Sequence, residues 1–129
     1  DGSLIPSNPF AKDPGLQSEI WSYGHRNIQG AALHPVTRQL WIHEHGARGG
    51  DEVNIIEPGK NYGWPNASYG SHYSMIPIPD DHAGRGYVEP LYHWTPSIAP
   101  SGMLFYTGNK IKGWRYDLFT GALAGMSLI

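Results

Sequence analysis

A chain of 129 residues can form one domain with a real core, and 40% hydrophobic and 16% charged residues with 17 glycines make it globular and loop-rich rather than disordered. A formal net charge of −2 gives no basic footprint for nucleic acid, and no charge run marks a membrane surface. The lack of cysteine excludes disulfides and thiolate metal sites, which suits the cytosol or a periplasm equally, and no stretch is apolar enough to insert in a bilayer.

In chain order, residues 1–16 are rich in proline and glycine and read as an irregular loop. Residues 18–23 predict a short strand, followed by a loop at Gly24-His25-Arg26-Asn27. Residues 29–34 and 39–44 form a hairpin pattern turned by Pro35-Val36-Thr37-Arg38, and residues 53–57 the next strand, ended by Pro58-Gly59. Asn61-Tyr62-Gly63-Trp64-Pro65 is a turn built around aromatics, and residues 66–86 a long loop, of the kind that is functional or disordered in compact domains. Residues 87–94, 102–107 and 113–121 restore the strand pattern, and residues 127–129 begin another. No stretch of ten residues has a clean helical period, so the chain is all-β: a sandwich, barrel or propeller, with an internal boundary at residues 77–90. It shows no leader sequence, and neither end carries a cap, so it reads as an internal piece of a longer protein.

Several clusters could carry chemistry. Gly46, Gly49 and Gly50 permit positive φ and close carbonyl approach, with Asp51 and Glu52 beside them; converging carbonyl and carboxylate oxygens suit a hard cation such as calcium. The same residues also make an ordinary glycine-rich hairpin loop, and the EF-hand spacing is absent. His43 and His45 share one strand face and could chelate a transition metal as in cupins, but the next acids, Asp51 and Glu52, stand too far along; with Trp41 on that face the pair reads as structural. Arg26 offers a rigid donor fork for carboxylate or quinone oxygens, or equally a partner for strand-end carbonyls. His25 could be a general base, though nothing local in the sequence orients it. The turn from Trp94 to Ser101 carries hydroxyls beside an aromatic that could stack a sugar or join the core, and Asn66-Ala67-Ser68 is a sequon relevant only to a eukaryotic secretory setting.

The ordered set Gly24-His25-Arg26-Asn27-x-Gln29-Gly30, Glu44-x-Gly46, Asp51-Glu52-Val53-Asn54 and Asn61-Tyr62-Gly63-Trp64-Pro65 resembles the soluble quinoprotein glucose/sorbosone dehydrogenases, most closely their periplasmic aldose sugar dehydrogenase branch. The opening Asp-Gly-Ser-x-Ile-Pro-x-Asn-Pro-Phe and Ser101-Gly102-Met103-x-Phe105-Tyr106 are similar to that branch too. The resemblance runs through nearly the whole chain. It implies a six-bladed β-propeller, of which residues 1–129, as one part of a single domain, supply about two to three blades.

It also implies two cofactors, pyrroloquinoline quinone (PQQ) and calcium. By position, Arg26, Asn27 and Tyr73 would contact the quinone, Glu52 and the Tyr62 carbonyl would hold a calcium ion, and the Gly46 and Ala47 carbonyls would reach the quinone-bound calcium. The reaction implied is oxidation of an aldose sugar at its anomeric carbon to a lactone by hydride transfer to the quinone, with an external electron acceptor, a periplasmic or secreted setting and a homodimer as the open assembly. The family's catalytic histidine lies upstream of the Arg26-Asn27 pair and outside the chain, so His25 is not its counterpart and the isolated chain is expected to be inactive. Ala124 stands where some members place a quinone-binding lysine. A non-catalytic, calcium-stabilised propeller module that binds a protein or glycan is the alternative, and a cupin-like metalloenzyme using His43 and His45 a third.

Overall fold

The computed structural model describes residues 5–13 and 15–129, so part of the expected loop at residues 1–16 lies outside the described residues. β1 (Ile28–Leu33), β2 (Leu40–Glu44), β3 (Asp51–Ile56) and β4 (Tyr92–Trp94) form a four-stranded antiparallel sheet in sequence order. β5 (Pro100–Phe105), β6 (Leu118–Ala122) and β7 (Ser127–Leu128) form a three-stranded antiparallel sheet. Among the described residues the only helix is a 3-10 turn at Ala83–Arg85.

The β1–β2 hairpin turns where the sequence places it, because Arg38 N–H closes on the His34 carbonyl and His34 Nδ1 accepts from Val36 and Thr37 N–H. Ile42, Ile56 and Tyr62 form the buried core, flanked by Leu40 and Val88. Tyr62 is held at its far end as well: its hydroxyl donates to the Ile55 carbonyl at 2.7 Å and accepts from Glu57 N–H at 2.9 Å. The two sheets meet through β1 and β5. Gly30 has no room for a Cβ there, since one would press on His43 and on Met103. His43 and His45 each donate from Nε2 across the gap, to the Gly102 and Pro100 carbonyls, both at 2.9 Å. Both imidazoles are thereby committed to backbone carbonyls, and Trp41 packs its ring on His34 and Phe105.

Several expected elements differ. β3 begins at Asp51, so the acidic pair sits within a strand rather than in the loop before it. Of residues 18–23, only Tyr23 pairs, through an isolated bridge to Asn61. Of residues 87–94, only Tyr92–Trp94 is strand: Tyr87 and Val88 send their N–H groups to His82 and Asn61, and Pro90 has none to give. Residues 113–117 form a turn, with Tyr116 at φ 75°, before β6 starts at Leu118. The break between strand groups falls at residues 95–99, not 77–90, because β4 pairs with β3 and completes the first sheet.

Candidate cofactor and cation site

The site grows from Glu44, at the end of β2 and 4% exposed. Its Oε2 accepts from the N–H groups of Arg26, at 2.6 Å, and Asn27, at 3.3 Å. Its Oε1 meets His25 Nδ1 at 3.1 Å, and the other nitrogen of that ring meets Ser22 Oγ at 2.9 Å. His25 also lies flat on the Tyr62 ring, with centroids 4.7 Å apart. The histidine that seemed unoriented in sequence is therefore gripped at both nitrogens and one face. The loop at residues 24–27 is pinned to β2 by one carboxylate, which fixes where the Arg26 side chain starts.

Arg26 donates from one terminal nitrogen to the His45 carbonyl at 3.0 Å and from the other to the Tyr73 hydroxyl at 3.3 Å, with its guanidinium 5.3 Å from the Trp64 ring centre. A guanidinium carries five N–H donors, so most of its donor capacity remains for a ligand. Tyr73, on the long loop and 74% exposed, is thus brought to Arg26 across 47 residues of sequence. Asn27 is exposed, and its side-chain carbonyl accepts from Gln29 at 2.5 Å.

The two acids of β3 have different tasks. Asp51, 1% exposed, accepts from Gly46 N–H and Ser97 Oγ on one oxygen and from Ile98 and Ala99 N–H on the other, at 2.8 to 3.0 Å. Its lone pairs are consumed in tying the glycine-rich loop to residues 97–99, so it is a strut and not a ligand. Glu52 faces a narrow cleft, with about 10 Å³ of room for the centre of a water molecule, lined by Gly24, Arg26, Gly46, Tyr62 and Trp64 among others. Of the seven positions singled out by resemblance, Arg26, Gly46, Glu52 and Tyr62 line this cleft, Tyr73 reaches it through Arg26, and Asn27 and Ala47 are not among its walls. Ala124, exposed, is tied to the Ile98 carbonyl through its N–H.

Glycine is required in the loop for two reasons. Gly49 and Gly50 adopt φ of 81° and 68°, and a Cβ on Gly46 would collide with the Gly49 and Gly50 carbonyls although its own φ is ordinary.

Burial pushes the Glu52 carboxyl up to about 8, reinforced by the charge of Glu44; the Asn54 amide, donating to Glu52 Oε2 at 3.2 Å, pulls the other way. The same amide reaches Glu44 Oε1 at 3.3 Å and so bridges the two acids. A buried carboxylate in such surroundings is short of positive charge. Among the described residues, no three His, Asp or Glu side chains cluster closely enough to hold a metal by themselves, so a cation here must draw on carbonyls too.

Sequence reasoning passed over His25, Glu44, Asn54 and His82 as site-building residues. Glu44 had a signal, being the acid that ends an otherwise apolar strand. His82, one of two histidines on the long loop, had none.

Two antiparallel sheets in succession, bringing a guanidinium and a buried carboxyl to one cleft, define a partial β-propeller with a polar cleft. The chain belongs to the glucose/sorbosone dehydrogenase family, whose model matches residues 1–129. It is 47% identical to an aldose sugar dehydrogenase of Escherichia coli (strain K12), over 99% of this chain and 35% of that protein. A crystal structure of a glucose dehydrogenase superposes with a TM-score of 0.92 at 51% identity, over 99% of this chain and 38% of that one. The PQQ-bound form of an aldose sugar dehydrogenase from Streptomyces coelicolor gives a TM-score of 0.71 at 34% identity, over 98% and 31%. The chain spans about a third of the length of the curated relatives it matches. No helix among the described residues is long and apolar enough to cross a membrane.

Proposed function

We propose that the chain is part of a six-bladed propeller enzyme that oxidises aldose sugars at the anomeric carbon to lactones, using PQQ and calcium and passing electrons to an external acceptor. The observation that carries this reading is the meeting of Arg26, Gly46, Glu52 and Tyr62 at one cleft, with Tyr73 on Arg26, in a chain 34% identical to a protein with PQQ bound. The residues present fit both groups. Arg26 keeps free donors for quinone or carboxylate oxygens, Glu52 lacks a counter-charge, and Gly46 leaves its place in the cleft wall free of a side chain.

Redox chemistry is supplied by PQQ when bound, and Lewis acidity by calcium. The chain's own residues do the rest. Glu44 fixes the backbone at Arg26 and Asn27, so that the guanidinium is aimed before any ligand arrives and can stabilise negative charge on a quinone oxygen. Tyr73 restrains the guanidinium from the solvent side, and Asn27, outside the cleft walls, would contact the quinone once it is bound. Glu52 and the Tyr62 carbonyl hold one calcium ion, and the Gly46 and Ala47 carbonyls reach a second at the quinone. A general-base histidine comes from a segment outside these 129 residues, so the isolated chain turns over no sugar. The setting is periplasmic or secreted, and the assembly that accompanies this reading is a homodimer.

The test is a PQQ titration of the full-length parent, with and without calcium, followed by glucose-dependent dye reduction. Calcium-dependent binding and turnover, both lost in Arg26→Ala, are expected. Calcium binding with no quinone binding would overturn the dehydrogenase reading in favour of a calcium-stabilised binding module. Dye reduction by the purified 129-residue chain would overturn the claim that it is inactive alone.

A further inference from the structure

His82 is fully buried, and its Nε2 has no hydrogen-bond partner among the described residues. The ring is nevertheless tightly placed. Its Nδ1 lies 3.0 Å from the Asp80 carbonyl, which can only accept, so in the neutral ring the proton is on Nδ1 and Nε2 is the nitrogen left to bind a cation. Tyr69 stacks on one face at 5.2 Å between centroids, and the Cδ2–Nε2 edge presses on Gly63, where a Cβ would stand 3.0 Å from Cδ2 and 3.4 Å from Nε2. That edge therefore borders Gly63, the residue after Tyr62.

A buried carboxyl stands near Nε2. Glu52 Oε1 is 4.0 Å from His82 Nε2, and the other Glu52 oxygen is already engaged by Asn54. Nε2 and Oε1, 4.0 Å apart and too far for a hydrogen bond, are close enough to ligate one metal ion together once the carboxyl gives up its proton. A buried imidazole without a partner for its lone pair is costly, and a cation removes that cost together with the carboxylate's.

We propose that His82 Nε2 is a nitrogen donor to the ion held by Glu52 and the Tyr62 carbonyl, making this a mixed nitrogen–oxygen site that prefers a divalent transition ion such as manganese to calcium. This rests on the reading above that Glu52 is a cation ligand, and goes beyond it in naming a further ligand and the class of ion. An all-oxygen shell suits calcium, whereas an imidazole adds a donor that transition ions accept far more readily. The quinone-bound calcium at the Gly46 and Ala47 carbonyls is a separate ion and is unaffected.

The experiment uses the full-length parent, stripped with chelator and free of PQQ. Manganese is titrated by the loss of the free-ion EPR signal, calcium by competition, and the bound ion is then examined by pulsed EPR for nitrogen coupling, with 15N-histidine labelling as the control. The expected result is histidine nitrogen coupling and manganese binding at least tenfold tighter than calcium, with both the coupling and the preference lost in His82→Gln while calcium affinity stays within about threefold. Absence of coupling in the wild type overturns the proposal without requiring any variant to fold, as does an unchanged preference in His82→Gln. PQQ absorbance titrations on the same preparations separate the two levels. Calcium and PQQ binding without histidine coupling overturns this inference alone; failure to bind either cation or PQQ overturns the dehydrogenase reading with it.

Discussion

Glu52→Gln, made in the full-length parent, is the sharpest probe of the site because the change is isosteric and its effect reverses sign with the cation. In chelator, the folded carboxyl keeps its proton up to about 8, whereas the unfolded one releases it near 4.5. The folded state therefore binds more protons than the unfolded state across that window, and wild-type stability falls as pH rises through it, by at most about 1.4 kcal/mol per pH unit. At pH 7 the accumulated loss is on the order of 3 kcal/mol, from about 2.5 units of difference. A glutamine does not titrate and still accepts from Asn54. The variant should match the wild type near pH 4.5 and melt roughly 5 °C higher at pH 7 in chelator. Saturating calcium should restore the wild type and leave the variant unmoved, so that their order inverts. Melting curves by circular dichroism from pH 4.5 to 8, with and without calcium, decide the matter. Parallel pH profiles for the two proteins in chelator would refute the claim that Glu52 is a buried, cation-poor acid.

Three further outcomes are expected. Asp51→Ala leaves four polar groups without their acceptor and should destabilise the parent by about 4 kcal/mol, read as an earlier midpoint in urea denaturation; a change under 1 kcal/mol would mean the strut is dispensable. Gly50→Ala drives a Cβ into the Gly70 and Tyr69 backbone at a positive φ, and should cost on the order of 3 kcal/mol and weaken PQQ binding together with stability, as calorimetry would register. Tyr69 is pushed up to about 12, chiefly by its hydrogen bond to Glu89 at 2.8 Å, so Glu89→Gln should move the highest step in an ultraviolet tyrosine titration down toward 10; an unmoved step would assign it to another tyrosine.

The hairpin of β1 and β2, the strand at β3 and the all-β class were legible because alternation and turn residues are local signals. The residues 18–23 and 87–91 failed because their apolar content matches a strand while their N–H groups close local turns, as Ile20 does on Gln17 and Tyr87 on His82, or reach loop carbonyls, as Tyr23 does to Lys60 and Val88 to Asn61, and Pro90 has none. In the site, Arg26, Gly46, Glu52 and Tyr62 were visible through an ordered family pattern. The division of labour between Asp51 and Glu52 was not, because neighbours in a strand point to opposite faces and only the tertiary fold says which face is satisfied. The role of Glu44 depends on the loop at residues 24–27 folding back upon it, and that of His82 on a chain reversal of some thirty residues after Glu52.

The ties between the two sheets distribute evolutionary freedom unequally. His43 and His45 reach across to the carbonyls of Gly102 and Pro100, backbone groups that do not depend on a side chain, although Gly102, at φ 59°, is itself held to glycine. The latch therefore asks nothing of the β5 side chains, whereas His43 on β2 and His45 just beyond it must each keep a side chain with a donor at its tip. In directed diversification, the segment from His43 to His45 is the one to hold constant, and exposed β5 positions such as Leu104 are where variation is cheap.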